Sequence, residues 1–340
     1  MARLKTGLGV FGLALVAVVA WLTFNMAVTA TTGPFARVSD QIATFTTIFL
    51  GIFIEAAPFL LLGALASGLV EVFVNQDHLA RYIPHDPVRG ALVGAALGFL
   101  FPVCECGVVP LTRRLFKKGL PLSVGITFLL AAPVFNPIAI ASTIAAFGVG
   151  KVLWLRLGLT FLIAVATGLI FAAQPRPERL WRAPALAPIS GGRGDVAPTP
   201  VVDWRGGLKR VAAITVDEFF EMGRYLIVGA LLAALMQAVV PQAFLLGLSA
   251  GPVISVITLI ALAIVLSICS TVDAFIALAL AGTFTTGSIT AFLVFGPMVD
   301  IKSTLMFLGV FKRRTVAYLI LLPLLMTMLA GVFINLDTRW

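Results

Sequence analysis

Apolar residues crowd into long runs separated by short polar segments. After a first run from Gly7, they occupy about 41–74, 90–112, 119–149 and 151–173, then about 209–240, 252–282, 284–311 and 315–336. About 20 apolar residues suffice to cross roughly 30 Å of hydrocarbon as a helix. The pattern predicts an all-α fold, a polytopic transmembrane helical bundle. Between the two groups, QPRPERLWRAPALAPISGGRGDVAPTPVVDWRGG (174–207) is rich in proline, glycine and arginine and lacks apolar periodicity, which reads as a linker. The chain therefore divides into an N-terminal transmembrane helix (1–40), a first transmembrane repeat (41–173), a linker (174–208) and a second transmembrane repeat (209–340).

The word repeat rests on landmarks. FIEAAPFLLLGAL aligns with FFEMGRYLIVGAL, which pairs Glu55 with Glu221 and Gly63 with Gly229. Further on, Cys106 falls on Cys269, Gly119 on Gly282, Pro133 on Pro297, Asn136 on Asp300 and Gly168 on Gly331, in order and with little drift.

Basic residues then set an orientation. The N-terminus (Arg3, Lys5), the linker (Arg176, Arg179, Arg182, Arg205, with Lys209 and Arg210 at its end) and Lys312–Arg314 read as cytoplasmic. Arg113, Arg114, Lys117 and Lys118 read as a further cytoplasmic anchor, which makes 90–112 a re-entrant hairpin. The uncharged ends around 241–251 and 282–288 make 252–282 a second hairpin from the other face. The two halves are then inverted, with broken helices meeting between them, a layout that secondary transporters use to hold substrate near the midplane.

Composition closes off other classes. With 60% hydrophobic and 11% charged residues, the chain is not a soluble domain. Its net charge of +9 lies between apolar runs, so it reports topology and not a nucleic-acid partner. The first apolar run is too long for a signal-peptide core and reads as a helix with a cytoplasmic N-terminus. The lipid bilayer and a small-molecule or ion substrate are the expected partners, and a homo-oligomer is compatible. No phosphate-binding GxxxxGK[ST] sequence is present to mark an ATP motor, and no cofactor is expected.

The candidate chemistry sits at the breaks. FPVCECGVVPL (101–111) places Cys104, Glu105 and Cys106 together, and SICSTVDAF supplies Cys269, Ser270 and Asp273. AAPVFNP and FGPMVDIKS interrupt two other runs, each with a polar residue, Asn136 or Asp300, three positions after a proline. Substrate-binding candidates are therefore Cys104, Glu105, Cys106, Asn136, Cys269, Ser270, Asp273 and Asp300. Cys104, Cys106 and Cys269 are the candidate metal ligands, because thiolates are soft donors that favour zinc, copper(I) and thiophilic metalloids. A carboxylate at membrane depth costs at least a few kcal/mol without a partner, so Glu55 and Glu221 are candidates for proton coupling. Lys302 and Arg224 are the nearby cations that could instead pair with Asp300 and Glu221. Gly90, Gly94 and Gly98, four residues apart, read as a close helix contact. His78 and His85 read as solvated loop residues.

The stretch FPVCECGVVPLTRRLFKKGLPLSVGITFLLAAPVFNPIAIAS (101–142) resembles the signature of the predicted permease family that includes the ArsP-type organoarsenical efflux permeases. With the two-repeat layout the resemblance extends over roughly 40–336. It implies a multi-pass bacterial inner-membrane permease and no enzyme, with members that export trivalent organoarsenicals through thiol chemistry, and it supports Cys104 and Cys106 as functional positions. Glu105 departs from the serine-rich surroundings of arsenical-linked members and suits a soft divalent cation. The expected function is secondary-active, proton-coupled export of a thiophilic metalloid by alternating access. Transport of a soft cation such as zinc is one alternative. A membrane thiol oxidoreductase is another, although Cys-x-Cys lacks the usual Cys-x-x-Cys spacing.

Overall fold

The computed structural model describes residues 36–74, 83–84, 86–101, 103–174, 180, 204–239 and 251–337. The expected first helix before residue 36, most of the linker, and His78 and His85 lie outside these residues. Residues 1–48 and 49–340 separate into two compact units. In the first, the described residues 36–48 are helical, with Thr46 and Thr47 donating to the carbonyls of Ile42 and Ala43 one turn back.

Every element among the described residues is helical, and the apolar runs map onto them directly. In chain order they are α1 (Ala36–Phe73), α2 (Pro87–Leu100), α3 (Glu105–Lys117), α4 (Leu122–Phe135), α5 (Pro137–Phe147) and α6 (Lys151–Ala172). After the linker come α7 (Trp204–Val239), α8 (Ile254–Leu266), α9 (Asp273–Leu280), α10 (Thr286–Met298), α11 (Ile301–Val310) and α12 (Arg313–Asp337). The same order recurs on either side of the linker: one long helix, two broken pairs and one long closing helix.

The breaks have local causes. Pro133 lies in the last turn of α4, which runs to Phe135, and the Asn136 side chain accepts from Ile138 N at 2.9 Å to cap α5, whose first residue is Pro137. The axis bends by 40° there. Pro297 precedes the matching break, where Asp300 and Ser303 form a capping box on α11, at 2.6 Å for Ser303 N to Asp300 Oδ1 and 2.9 Å for Asp300 N to Ser303 Oγ. Ser267 ends α8 in the left-handed region at φ 45°. Its hydroxyl accepts from Ile301 N at 3.2 Å and so ties this break to the start of α11.

Among the described residues, five helical stretches are long and apolar enough to cross a membrane: Gln41–Phe73, Lys151–Ala172, Gly206–Ala238, Thr286–Val310 (α10 with α11) and Arg313–Asp337. The bent pair α4 and α5 makes a sixth if it is one span. The centre is built on α4 and α10, which touch each other and are buried on nearly every side. In α1, α6 and α12, large apolar residues such as Ile54, Trp154, Leu329 and Phe333 remain exposed, as expected of surfaces that face lipid and not water.

Glycines let the helices of the centre close up. A Cβ on Gly98 would lie 2.9 Å from Ala132 Cα, and one on Gly94 would strike the Val124 carbonyl, so the 90–94–98 stripe does seat α2 against α4. Gly63 of α1 faces the backbone of Gly107 in α3, while a Cβ on Gly229 of α7 would lie 2.8 Å from Lys302 Cα in α11. These last two contacts hold the N-terminal turns of α3 and α11 in place.

Candidate functional site

The break between α2 and α3 makes Cys104 the N-cap of α3 and Glu105 its first residue. The break between α8 and α9 carries Cys269 to the same point. Cys104 Sγ, a Glu105 carboxylate oxygen and Cys269 Sγ all lie within 4.8 Å of one another, and all three residues are buried. Cys269 Sγ donates to Glu105 Oε2 at 3.8 Å. The Cys104 thiol interacts with both Cys269 and Cys106. Cys106 is also buried but stands outside the compact trio.

The other oxygen of Glu105 faces Lys302. The Lys302 ammonium lies 3.4 Å from Glu105 Oε1 and 3.4 Å from Asp300 Oδ2, with its side chain only 2% exposed. Asp300 Oδ1 is committed to the α11 capping box, and Oδ2, which faces the ammonium, has no hydrogen-bond partner among the described residues. At the rim of this group, Thr271 donates to Glu55 Oε1 at 3.4 Å, which brings α1 to the second break.

Two thiols and a carboxylate are a donor set for a soft ion or a trivalent metalloid. Sulfur lies about 2.3 Å from zinc, so two sulfurs on one ion can be at most about 4.6 Å apart. Small side-chain movements therefore suffice to close the trio around such a species.

Other candidates lie elsewhere. Asp273 is bound by Arg156, with Arg156 Nη2 at 2.7 Å from Oδ2 and Nη1 at 3.1 Å from Oδ1, and Arg156 Nη1 also reaches Thr143 at 2.8 Å. That group joins α5 and α6 to α9. Glu221 pairs with Arg113 at 2.9 Å and not with Arg224, whose guanidinium lies over the Tyr225 ring. Asn136 and Ser270 are fully buried, and Asn136 Nδ2 and Ser270 Oγ have no hydrogen-bond partner among the described residues.

Three buried groups escaped the sequence reading. Arg156 is a lone charge inside the run 151–173, and that isolation was the available signal. Glu218 is buried and accepts from Arg114 Nε at 2.8 Å and from Ser67 at 3.3 Å. Arg113 and Arg114, expected as part of a cytoplasmic anchor, are 3% and 7% exposed and bind acids of α7. Lys118 caps the end of α1, donating to the carbonyls of Glu71 and Val74 at 2.9 and 2.7 Å.

Comparison with known proteins adds sequence relationships. The family model for ArsP-type predicted permeases matches residues 41–336. The UPF0718 protein YcgR of Bacillus subtilis is 43% identical over 286 residues, covering 84% of this chain and 94% of that one. A Streptococcus mutans protein, provisionally named as a subunit of a two-component membrane permease complex, is 35% identical over 286 residues, covering 82% of this chain and 91% of that one. The UPF0718 protein MJ0584 of Methanocaldococcus jannaschii is 27% identical over 137 residues, covering 38% of this chain and 37% of that one. No solved structure matches the chain.

Proposed function

Because this chain belongs to the ArsP-type predicted permease family and is a multi-pass membrane protein, we propose that it carries a thiophilic species across the membrane, held between Cys104, Glu105 and Cys269. One observation carries this reading: thiols from either side of the linker meet in a buried cluster with a carboxylate. Cys104 and Cys269 are 165 positions apart, and their only common feature in the chain is a place at a helix break.

The reading favours a trivalent organoarsenical. Its hydroxides leave as water when two thiols form sulfur–arsenic bonds, so the exchange adds no net charge to a buried site. Export proceeds by alternating access between two inverted halves, which part and close around the cluster. Glu55, half-buried and facing Thr271 at the second break, is the proton carrier in this scheme. Glu221 already has a cationic partner in Arg113 and serves as a structural group.

A soft divalent cation such as zinc is the second reading, favoured by the Glu105 carboxylate within the trio. The Streptococcus relative's name extends the proposal to a second component, which co-purification from the native membrane would reveal.

Flux into vesicles reconstituted with the purified protein tests the choice. Trivalent methylarsenical flux that disappears in Cys104→Ser and in Cys269→Ser supports the first reading. Zinc flux with the same dependence supports the second. Flux that survives both substitutions overturns the thiol site.

A further inference from the structure

The thiol cluster already holds a cation of its own. Lys302 enters from α11, beside the cluster's acid and not on a solvated face, and it is among the largest fully buried side chains of the protein. Its stem is fixed where it leaves the helix, because α7 offers only the hydrogen of Gly229 at that point: a Cβ there would lie 3.3 Å from both Cβ and Cγ of Lys302. Its charged end is held more loosely. The two carboxylate contacts are both 3.4 Å long, whereas the shortest arginine pairs, Arg113–Glu221, Arg114–Glu218 and Arg156–Asp273, close to between 2.7 and 2.9 Å. Charge-assisted N–H···O bonds ordinarily measure about 2.7–2.9 Å. One ammonium is thus shared between Glu105 Oε1 of the thiol trio and Asp300 Oδ2, two positions back in its own chain.

From this geometry we infer that Lys302 is a specificity-determining residue, a resident cation that fills the place a divalent ion would take at Glu105. The inference rests on the reading of Cys104, Glu105 and Cys269 as the substrate site. A divalent cation entering the trio meets a buried positive charge within a few ångströms. It must repel that charge or push it wholly onto Asp300, and burial of both side chains keeps bulk solvent from screening the cost. A neutral species that bonds to the thiols meets no such barrier and leaves the Lys302–Glu105 pair in place. The lysine therefore sets the charge of acceptable cargo, while the thiols set its softness. Carboxylate-seeking hard cations are refused on both counts.

Removing the ammonium while keeping the thiols and both acids converts the cluster into a divalent-cation site. Cadmium is a direct probe, because its bonds to thiolate absorb in the ultraviolet and report sulfur ligation without any transport assay. Purified full-length protein in detergent micelles is titrated with cadmium as wild type, Lys302→Met, Lys302→Gln, Lys302→Arg, and Lys302→Met combined with Glu105→Gln. Lys302→Met and Lys302→Gln are expected to bind cadmium at least about tenfold more tightly than wild type, with a thiolate–cadmium band. Lys302→Arg, which keeps the charge, stays at the wild-type affinity, and adding Glu105→Gln removes the gain.

Equal cadmium affinity in wild type and in folded Lys302→Met or Lys302→Gln overturns the inference. So does a gain that persists in Lys302→Arg. Gel-filtration profile establishes which variants are folded, and the glutamine substitution stands in if methionine at this position is not tolerated. Phenylarsine oxide binding to wild type, compared with Cys104→Ser and Cys269→Ser, checks the underlying site separately. If that binding depends on both thiols while cadmium affinity ignores Lys302, only the role of the lysine fails. If it depends on neither, the site itself is wrong.

Discussion

At the scale of single residues, proximity in sequence misleads about the thiols. Cys104 and Cys106 look like the natural pair in CEC, and their thiols do interact, yet only Cys104 has its sulfur within 4.8 Å of both Cys269 Sγ and a Glu105 oxygen. Cys104, at the N-cap, looks toward Cys269 and Glu105, while Cys106 sits outside the trio. Cys106→Ser is therefore expected to keep phenylarsine oxide affinity within about tenfold of wild type, a change under about 1.4 kcal/mol. Cys104→Ser loses more than that. Titration of the two purified variants side by side decides it, and equal losses would return Cys106 to the ligand set. The acids divide the same way. Glu105 and Asp300 share a lysine at the cluster, whereas Asp273, Glu218 and Glu221 are bound by arginines elsewhere.

At the scale of elements, the site depends on helices that stop at the right place and approach closely once they have stopped. Prolines at 133 and 297 precede two of the breaks, and Asn136 and Asp300 then restart the chain as N-caps. Gly63 lets α1 lie against Gly107, one turn into α3, and thereby fixes the turn that carries Cys104 and Glu105. Gly63→Ala forces a methyl group into that backbone, and a loss of about 1–3 kcal/mol is expected. Gly223→Ala on α7, where nothing lies within 4 Å, is expected to be neutral or to stabilise by up to about 1 kcal/mol. Thermal unfolding of both variants in micelles measures the contrast, and equal midpoints would show that the α1–α3 contact can relax.

For the molecule as a whole, buried ion pairs connect the helices before the linker to those after it. Arg156 of α6 holds Asp273 of α9, and Arg113 and Arg114 of α3 hold Glu221 and Glu218 of α7. Breaking a buried pair strands a charge, at about 3–5 kcal/mol, while removing both members costs far less. Arg156→Gln and Asp273→Asn are each expected to destabilise by that amount, with most of the loss recovered in the double variant. A double-mutant cycle on unfolding midpoints reads the coupling directly, and additive losses would mean that the pair contributes nothing across the linker.

The sequence by itself determined where helices run and where they break, because apolar run length, proline and capping residues act locally. The run 119–149 became α4 and α5 with the break at Asn136, and the run 252–282 became α8 and α9 with the break before Asp273. It also drew attention to Cys104, Glu105 and Cys269, since thiols and a carboxylate are conspicuous in hydrocarbon. Only the tertiary structure decided who meets whom. Lys302 reaches Glu105 across 197 positions, Arg156 reaches Asp273 across 117, and Arg114 reaches Glu218 across 104. Nothing in the local pattern selects among the available partners for a buried charge. That choice is made when helices from distant parts of the chain pack together, because each buried charge must then be neutralised by whichever opposite charge the packing brings within reach.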